Sequence, residues 1–290
     1  MGVQRIRIVI PKKPEEFKAM EEIQKDAWNA EDIAVTPAHV LRAAQMANNC
    51  VYIAYCGDEP AGYVYGFFGL HNSKLFLHSH QVGVKRKYQN RGVGYLLKLR
   101  QRDFAMRLGI DLIRWTFDPL QSKNAYFNFT KLGVINREYI RNLYGEIRDE
   151  LNKGLPTDRF YVEWYISSPR VVDRVEKGVK PPLADDLELT VINKIKTLEQ
   201  GLITIADYDT SLREKILAME IPTNFTDIKK RAPNLALEWR IKTREIFEKY
   251  LSSGYLVADL IHSKDKKRCF YVLVRDTIDV VLKKNWWELL

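Results

Sequence analysis

The sequence has few cysteines and none of the patterns in which they bind metal. Its 290 residues include only Cys50, Cys56 and Cys269. An odd number of cysteines without ligand spacing predicts neither a disulfide framework nor a metal site. We therefore expect free thiols, no bound metal and a reducing compartment, the cytoplasm.

Long apolar runs are also missing. No stretch approaches the ~20 consecutive apolar residues that a membrane-spanning helix needs. The N-terminal residues 5–10 read Arg-Ile-Arg-Ile-Val-Ile, which alternates as a strand does and lacks the apolar centre of a signal peptide. We expect no membrane association.

The net charge is positive, and the charged residues are scattered along the sequence. Forty-six lysines and arginines against 37 acidic residues give a formal net charge of +9. A basic surface suits an anionic partner, either a polyanionic small molecule or a nucleic acid. No basic block interleaved with aromatic residues is present, and such blocks are typical of nucleic-acid binding. The sequence therefore favours a small anionic ligand and no nucleic acid.

What the sequence does contain is a strand, a glycine turn, a helix and a second strand between Leu75 and Asp118. The turn reads Gln-Asn-Arg-Gly-Val-Gly at 89–94, and apolar residues then recur at helical spacing from Val93 to Leu108. The free amides at the start of a helix attract anions, and glycines let a pyrophosphate approach the backbone. The segment therefore predicts a site for a phosphorylated ligand.

This segment resembles the acyl-CoA pyrophosphate motif of the GNAT N-acyltransferase superfamily. The pattern Gln89-x-x-Gly92-x-Gly94 follows a strand ending at Val84, and Lys131-Leu132-Gly133 is similar to a helix end common in the superfamily. The resemblance implies an α/β (α+β) GNAT fold, a mixed and mostly antiparallel sheet with a splayed central strand pair flanked by helices. It also implies acetyl-CoA or another acyl-CoA as co-substrate.

Wider features resemble one bacterial and archaeal subgroup of GNAT acetyltransferases. They include Trp-Thr-Phe-Asp-Pro-Leu at 115–120 and Val-Glu-Trp at 162–164. At least one relative in that subgroup is thought to succinylate amino acids. The coenzyme A contacts that the resemblance implies are Val82, Gly83, Val84, Gln89, Asn90, Arg91, Gly92, Val93, Gly94, Tyr95, Asn124 and Phe127.

Two histidines stand in the strand before the glycine turn. Strict alternation would place His78, His80, Val82 and Val84 on one face of that strand. A neutral imidazole can take a proton from an attacking ammonium near pH 7. The His-x-His pair resembles the proton relay of the arylalkylamine acetyltransferases, which implies that His80 is the base, assisted by His78. The alternative is a pair of hydrogen-bonded core histidines.

The resemblance fails at the general acid. Many GNAT enzymes have a tyrosine where this sequence has Phe129, which cannot protonate a leaving thiolate. Tyr126 lies one helical turn away and is the expected substitute. Tyr144 and a water are other candidates, and a further alternative is that no acid is needed, since coenzyme A thiolate is a tolerable leaving group.

Substrate contacts are expected after the following strand. Asp118 could anchor a substrate cation or could simply be a turn residue before Pro119. A long connection follows, and it carries Arg141, Tyr144 and Arg148, which could meet a substrate carboxylate. Long loops in compact domains are often functional.

We divide the chain into a catalytic domain (1–168), a linker (169–185) and a C-terminal α+β domain (186–290). The strand at 218–221, the helix after it and the strand at 255–260 echo the order around the glycine turn. The C-terminal domain is therefore either a degenerate GNAT-like half or an α+β cap over the acceptor site. It lacks glycine from Pro222 through Tyr250, so we expect coenzyme A to bind only the first domain. The tail at 285–288, Asn-Trp-Trp-Glu, packs on the core or at a subunit interface, which leaves a homodimer open.

The function expected from these features is direct N-acyl transfer. The donor is acetyl-CoA or another short acyl-CoA, succinyl-CoA among the candidates, and the acceptor is a primary amine of a small molecule such as an amino acid. The alternatives are a protein N-terminal or lysine acetyltransferase and a non-catalytic acyl-CoA-binding protein.

Overall fold

A computed structural model of the chain describes residues 5–71, 73–145 and 154–290. The described residues form two compact units, one of residues 5–115 and one of residues 116–145 with 154–290. The structure thus divides the chain near residue 115, whereas the sequence interpretation placed the boundary at 169–185. Among the described residues, no helix is both long and apolar enough to cross a membrane.

The first unit is a mixed sheet with helices on both faces. Its strands follow the order β1-β2-β3-β4-β5, antiparallel except for the parallel pair β4 and β5. The last two residues of β5 belong to the second unit. The strands are β1 (Ile6–Val9), β2 (Cys50–Cys56), β3 (Glu59–His71), β4 (Lys74–Val84) and β5 (Leu112–Phe117), and the helices are α1 (Pro14–Trp28), α2 (Ala38–Met46) and α3 (Val93–Arg107).

Helices α1 and α3 cover opposite faces of β3 and β4. A Cβ at Gly83 would meet Ile23 of α1 and the ring of Tyr63 on β3. A Cβ at Gly62 would instead meet Val93 and Leu97 of α3. The helical spacing seen in the sequence produces this packing, because it places the apolar residues of each helix on one side. Contact of a β4 side chain with α1 or with α3 therefore shows which face of the sheet that side chain occupies.

The second unit contains a second run of neighbouring strands, in the order β7-β6-β12-β13-β11-β8, and a separate hairpin of β9 and β10. Its strands are β6 (Ile135–Ile140), β7 (Arg159–Tyr165), β8 (Thr190–Val191), β9 (Asn193–Thr197), β10 (Ile203–Tyr208), β11 (Ile216–Ile221), β12 (Leu256–His262) and β13 (Cys269–Val274). Its helices are α4 (Ser122–Ala125), continued by a π-helical turn (Tyr126–Lys131), α5 (Pro169–Val175), α6 (Phe225–Arg231), α7 (Pro233–Ser252) and α8 (Ile278–Lys283).

The segment interpreted as a linker begins with a packed helix. Ser168 caps α5, and Arg170 and Arg174 are buried with no more than 4% of their surface exposed. Arg174 donates a hydrogen bond to the buried carboxylate of Asp259 on β12. The indole of Trp286 also donates to Asp259, over 3.0 Å, so the tail packs against its own unit. The charged composition predicts a solvated linker. These two arginines are buried instead, and both form ion pairs with the carboxylate of Asp259, which is distant in the sequence.

The C-terminal part has the expected order of strand, helix and strand, but these strands are not paired as β4 and β5 are. β13 lies between β11 and β12 and is antiparallel to both. β4 and β5, in contrast, pair directly. Similar element order along the chain therefore does not produce the same sheet here.

Candidate active site

Strand β4 carries a β-bulge at His80. Tyr65 of β3 pairs with Gln81, and the next residue, Gly66, pairs with Ser79. His80 is therefore an extra residue with no partner of its own on β3. Bulges often lie next to active sites, where they redirect a side chain.

The bulge changes which side chains share a face. The rings of His78 and His80 lie 4.9 Å and 5.6 Å from that of Phe67, on the α1 face of the sheet. Val84 lies on the other face, with its Cγ2 3.6 Å from where a Cβ on Gly94 would sit. The expectation that His78, His80, Val82 and Val84 share one face is therefore wrong, because one inserted residue reverses the alternation beyond it.

The parallel strands β4 and β5 separate just before the bulge. Leu77 pairs with Ile113 and His78 with Arg114, and these are the only two pairs between β4 and β5 among the described residues. From Ser79 to Val84, β4 continues to pair with β3 on its other side. An open strand edge of this kind can accept hydrogen bonds from, and donate them to, an extended ligand.

Both histidines are held in their neutral form. Burial lowers the pKa of His78 to about 4, and electrostatic repulsion between its protonated form and His80, Lys98 and Arg114 contributes further. The His80 side chain has an exposed position but lies against Tyr65, Phe67 and His78, and this desolvation lowers its pKa as well. A neutral imidazole can accept a proton at neutral pH.

The glycine turn produces an uncapped helix start. Gly92 adopts a left-handed conformation with φ of 85°, and a Cβ there would meet nothing within 4 Å. Leu96 is the residue whose amide bonds back to the Gly92 carbonyl, so the amides of residues 93–95 precede that first turn of bonds. No side chain caps α3, and its first turn contains no acidic residue.

These features fit a pyrophosphate. The amides and the helix dipole both favour an anion there. The exposed arginines Arg86 and Arg91 and the half-buried Lys85 lie in or next to the turn and add positive charge. The Gln89 amide donates to the Val84 carbonyl over 3.1 Å, which ties the turn to the end of β4. The half-buried Tyr95 follows in the first helical turn.

The remaining predicted residues lie in the second unit. Asp118 is 5% exposed and its carboxylate accepts hydrogen bonds from Arg240 (2.7 Å) and from the amide of Leu120 (3.0 Å). Burial alone would raise its pKa, but Arg240 outweighs burial and the pKa lies below its usual range. The carboxylate thus already has an internal cation as its partner.

The helix that follows buries Phe129, the residue at the position of the usual tyrosine. Phe129 is fully buried and packs edge-on against Phe117, Phe160 and Tyr271. Tyr126 is half-buried, with its ring 5.3 Å from that of His262. Of the two predicted coenzyme A contacts here, Asn124 is exposed and Phe127 half-buried.

The long connection contributes one ordered tyrosine. The hydroxyl of Tyr144 lies 2.7 Å from Thr116 Oγ1, and the Arg159 guanidinium lies 5.7 Å from its ring. Arg141 forms an ion pair with Glu248. Arg148 lies outside the described residues.

The sequence interpretation missed Lys98 in α3. Its Nζ is buried on the α3 side of the bulge and donates to Ser79 Oγ over 2.8 Å. A lysine within an amphipathic helix is usually exposed, so only the structure could reveal this contact.

Comparison with known proteins finds a family model that matches part of the chain. Residues 17–133 match the Acetyltransferase (GNAT) family. This stretch of the chain is therefore similar to a GNAT acetyltransferase domain. No curated protein matches the sequence significantly. No group of three or more metal-ligating side chains occurs among the described residues.

Solved structures resemble just over half of the chain. The ribosomal-protein-S18-alanine N-acetyltransferase from Escherichia coli is 14% identical, with 56% of this chain and 95% of that chain covered and a TM-score of 0.45. Arabidopsis thaliana Naa50 with a bisubstrate analogue is 18% identical, with 55% and 97% covered and a TM-score of 0.42. A GNAT acetyltransferase from Streptococcus pneumoniae is 13% identical, with 55% and 98% covered and a TM-score of 0.45.

Proposed function

We propose that the protein transfers an acetyl or another short acyl group, with succinyl as one candidate, to a primary amine of a small molecule such as an amino acid. The observation that carries this proposal is the course of β4. The strand combines a bulged, neutral histidine with an open edge, and it leads into the glycine turn that begins an uncapped helix.

The acyl-CoA would be held by backbone more than by side chains. Its pyrophosphate would lie on the amides of Asn90 to Gly94, next to Arg91. Its pantetheine would run along the open edge of β4 at 82–84. When bound, acyl-CoA supplies the activated acyl group, whose C–S bond breaks as the new C–N bond forms.

His80 is the proposed base. Its neutral ring takes the proton that the amine nitrogen loses as it bonds to the acyl carbon. His78, whose ring lies 6.0 Å from that of His80, would relay the proton directly or through water. Positioning of two bound substrates would supply much of the rate gain. The leaving thiolate would take its proton from water.

The test is calorimetry followed by kinetics. Acetyl-, succinyl- and longer acyl-CoAs are titrated into the protein, and thiol release is then measured with amino acids, other amines and peptides. Saturable binding of one acyl-CoA together with amine-dependent thiol release supports the proposal. Efficient release only with peptides would point to a protein N-terminal or lysine acetyltransferase.

A pair of variants tests the pyrophosphate site itself. Gly92→Glu puts a negative charge at the start of α3 and should abolish acyl-CoA binding. Gly109→Glu is the matched control, because Gly109 also has a positive φ (66°) and open space around it but follows the end of α3. Wild-type affinity in a folded Gly92→Glu protein would refute the site.

A further inference from the structure

A buried polar cluster lies under the bulge, on the α3 face of the sheet. Lys98 is 2% exposed, and its Nζ donates to Ser79 Oγ (2.8 Å) and to Gln101 Oε1 (3.1 Å). The same nitrogen lies 3.4 Å from the ring centre of Trp115. These partners are all uncharged, so the bulge rests on a lysine held by hydrogen bonds and an aromatic face.

The fold makes room for this cluster. Gly66 is the β3 residue that pairs with Ser79, and a Cβ at Gly66 would lie 2.9 Å from Gln101 Nε2 and 2.8 Å from the carbonyl oxygen of His78. Gln101 is fully buried, and its Nε2 reaches Cys50 Sγ at 3.8 Å. A larger residue at 66 would therefore displace either the glutamine or the strand.

The cluster is costly for stability. Burial lowers the pKa of Lys98 well below its usual range, because an ammonium loses its hydration there. Well-packed apolar residues often stabilise a core as well as buried charged groups do, or better. A lysine in this position is therefore better explained by what it holds in place than by stability.

What Lys98 holds is the residue just before the bulge. Ser79 is the first β4 residue beyond the last pair with β5, at His78 and Arg114. The hydrogen bond from Lys98 Nζ to Ser79 Oγ therefore holds β4 at the point where β4 no longer pairs with β5. It comes from the α3 face, whereas the His80 ring lies on the opposite face against Tyr65 and Phe67.

We propose that Lys98 is a positioning residue for acyl transfer: its hydrogen bond to Ser79 fixes the bulge and thereby aims His80 at the amine. This inference rests on the proposed function, in which His80 is the base. Lys98 itself would touch neither substrate nor the transferred proton.

The test compares Lys98→Met with the wild type, using acetyl-CoA and the fastest amine from the panel. We expect kcat to fall roughly tenfold to a hundredfold, because displacing a catalytic group by about 1 Å can cost that much. The KM for acetyl-CoA should change by less than about threefold, since the glycine turn is untouched. Ser79→Ala should reproduce the loss, and Ser79→Thr, which keeps the hydroxyl, should restore most of it.

An imidazole titration by NMR gives a readout that a purely structural lysine would not move. His80→Gln assigns the His80 signal in the wild-type spectrum. In Lys98→Met, the pKa of His80 should rise towards its ordinary value, because a loosened bulge exposes the ring to water. Burial against Tyr65, Phe67 and His78 lowers the pKa of His80. Because the charge of Lys98 also acts on the neighbouring His78, Ser79→Ala is the control: it removes the hydrogen bond but no charge, and it should raise the pKa of His80 in the same way.

The outcomes separate the two proposals. A folded Lys98→Met protein with unchanged kcat and an unchanged His80 titration overturns the positioning role. If Lys98→Met does not fold, Ser79→Ala decides by the same two measurements. If the wild type binds no acyl-CoA, the proposed function fails, and the His80 titration still shows whether Lys98 controls the bulge.

Discussion

The depressed pKa of His78 predicts an acid sensitivity that one substitution should remove. In the unfolded chain this histidine titrates near 6.5, whereas burial and the nearby positive charges lower its pKa in the folded protein to about 4. The folded state therefore disfavours the protonated form. The contribution to stability is fully present above pH 6.5 and is lost as the pH falls towards 4.

The size of the effect follows from the shift. A difference of one pKa unit corresponds to about 1.4 kcal/mol, so the shift sets a ceiling of about 3 kcal/mol. The ring is only partly buried, and solvent screening should reduce this to about 2 kcal/mol at pH 4.5. Carboxylates also destabilise a folded protein in acid, so the comparison must be between two proteins at each pH.

The perturbation is His78→Gln, which keeps a polar side chain and cannot titrate in this range. Native-state hydrogen exchange of peptides from β2 and β4 reports the opening free energy of the first unit. Between pH 7.5 and 4.5, the wild type should lose about 2 kcal/mol more than the variant. An equal loss in both proteins would refute the reasoning, because His78 would then have an ordinary pKa in the folded state.

Three further predictions follow from the site and from the second unit. His80→Gln should lower kcat by about 10²- to 10⁴-fold with little effect on acyl-CoA binding and should remove the acid limb of the pH–rate profile below pH 6.5; an unchanged profile would dismiss the base assignment. Asp118→Asn should lower the free energy of unfolding, measured in urea, by about 3–5 kcal/mol, because it leaves Arg240 buried without its carboxylate partner. The control Glu248→Gln, which breaks the exposed ion pair with Arg141, should lower it by less than about 1 kcal/mol. Calorimetry should give one acyl-CoA per chain, and a second equivalent would mean that the second unit has a site that its helix starts do not suggest.

The glycine turn could be predicted from sequence because its causes are local. Gly92 and Gly94 stand beside the first residue of an amphipathic helix, and the family match covers this region. Helix α1 is predictable for the same reason, since Phe17, Met20 and Ile23 recur at helical spacing and are all buried. The helical spacing predicted from Val93 to Leu108 accordingly matches the observed helix, Val93–Arg107.

The division into units could not be predicted, because it depends on partners far apart in the chain. Residues 169–185 have the composition of a linker, but Arg174 finds Asp259, 85 residues away. No local pattern indicates that a basic residue will meet a buried carboxylate on a distant strand. The same holds for Asp118, which looked like a turn residue or a substrate anchor until Arg240 was seen beside it.

The bulge is the clearest case in which local rules and the fold disagree. Alternation along β4 correctly groups His78 with His80 but fails at Val82 and Val84, because the extra residue is defined by the register with β3. That register depends on Gly66, whose missing side chain leaves room for Gln101, and Gln101 in turn accepts a hydrogen bond from Lys98. The direction of the proposed base is thus set by residues on another strand and another helix. A sequence pattern can therefore indicate which histidine acts in this strand, but only the packing around it determines where the ring points.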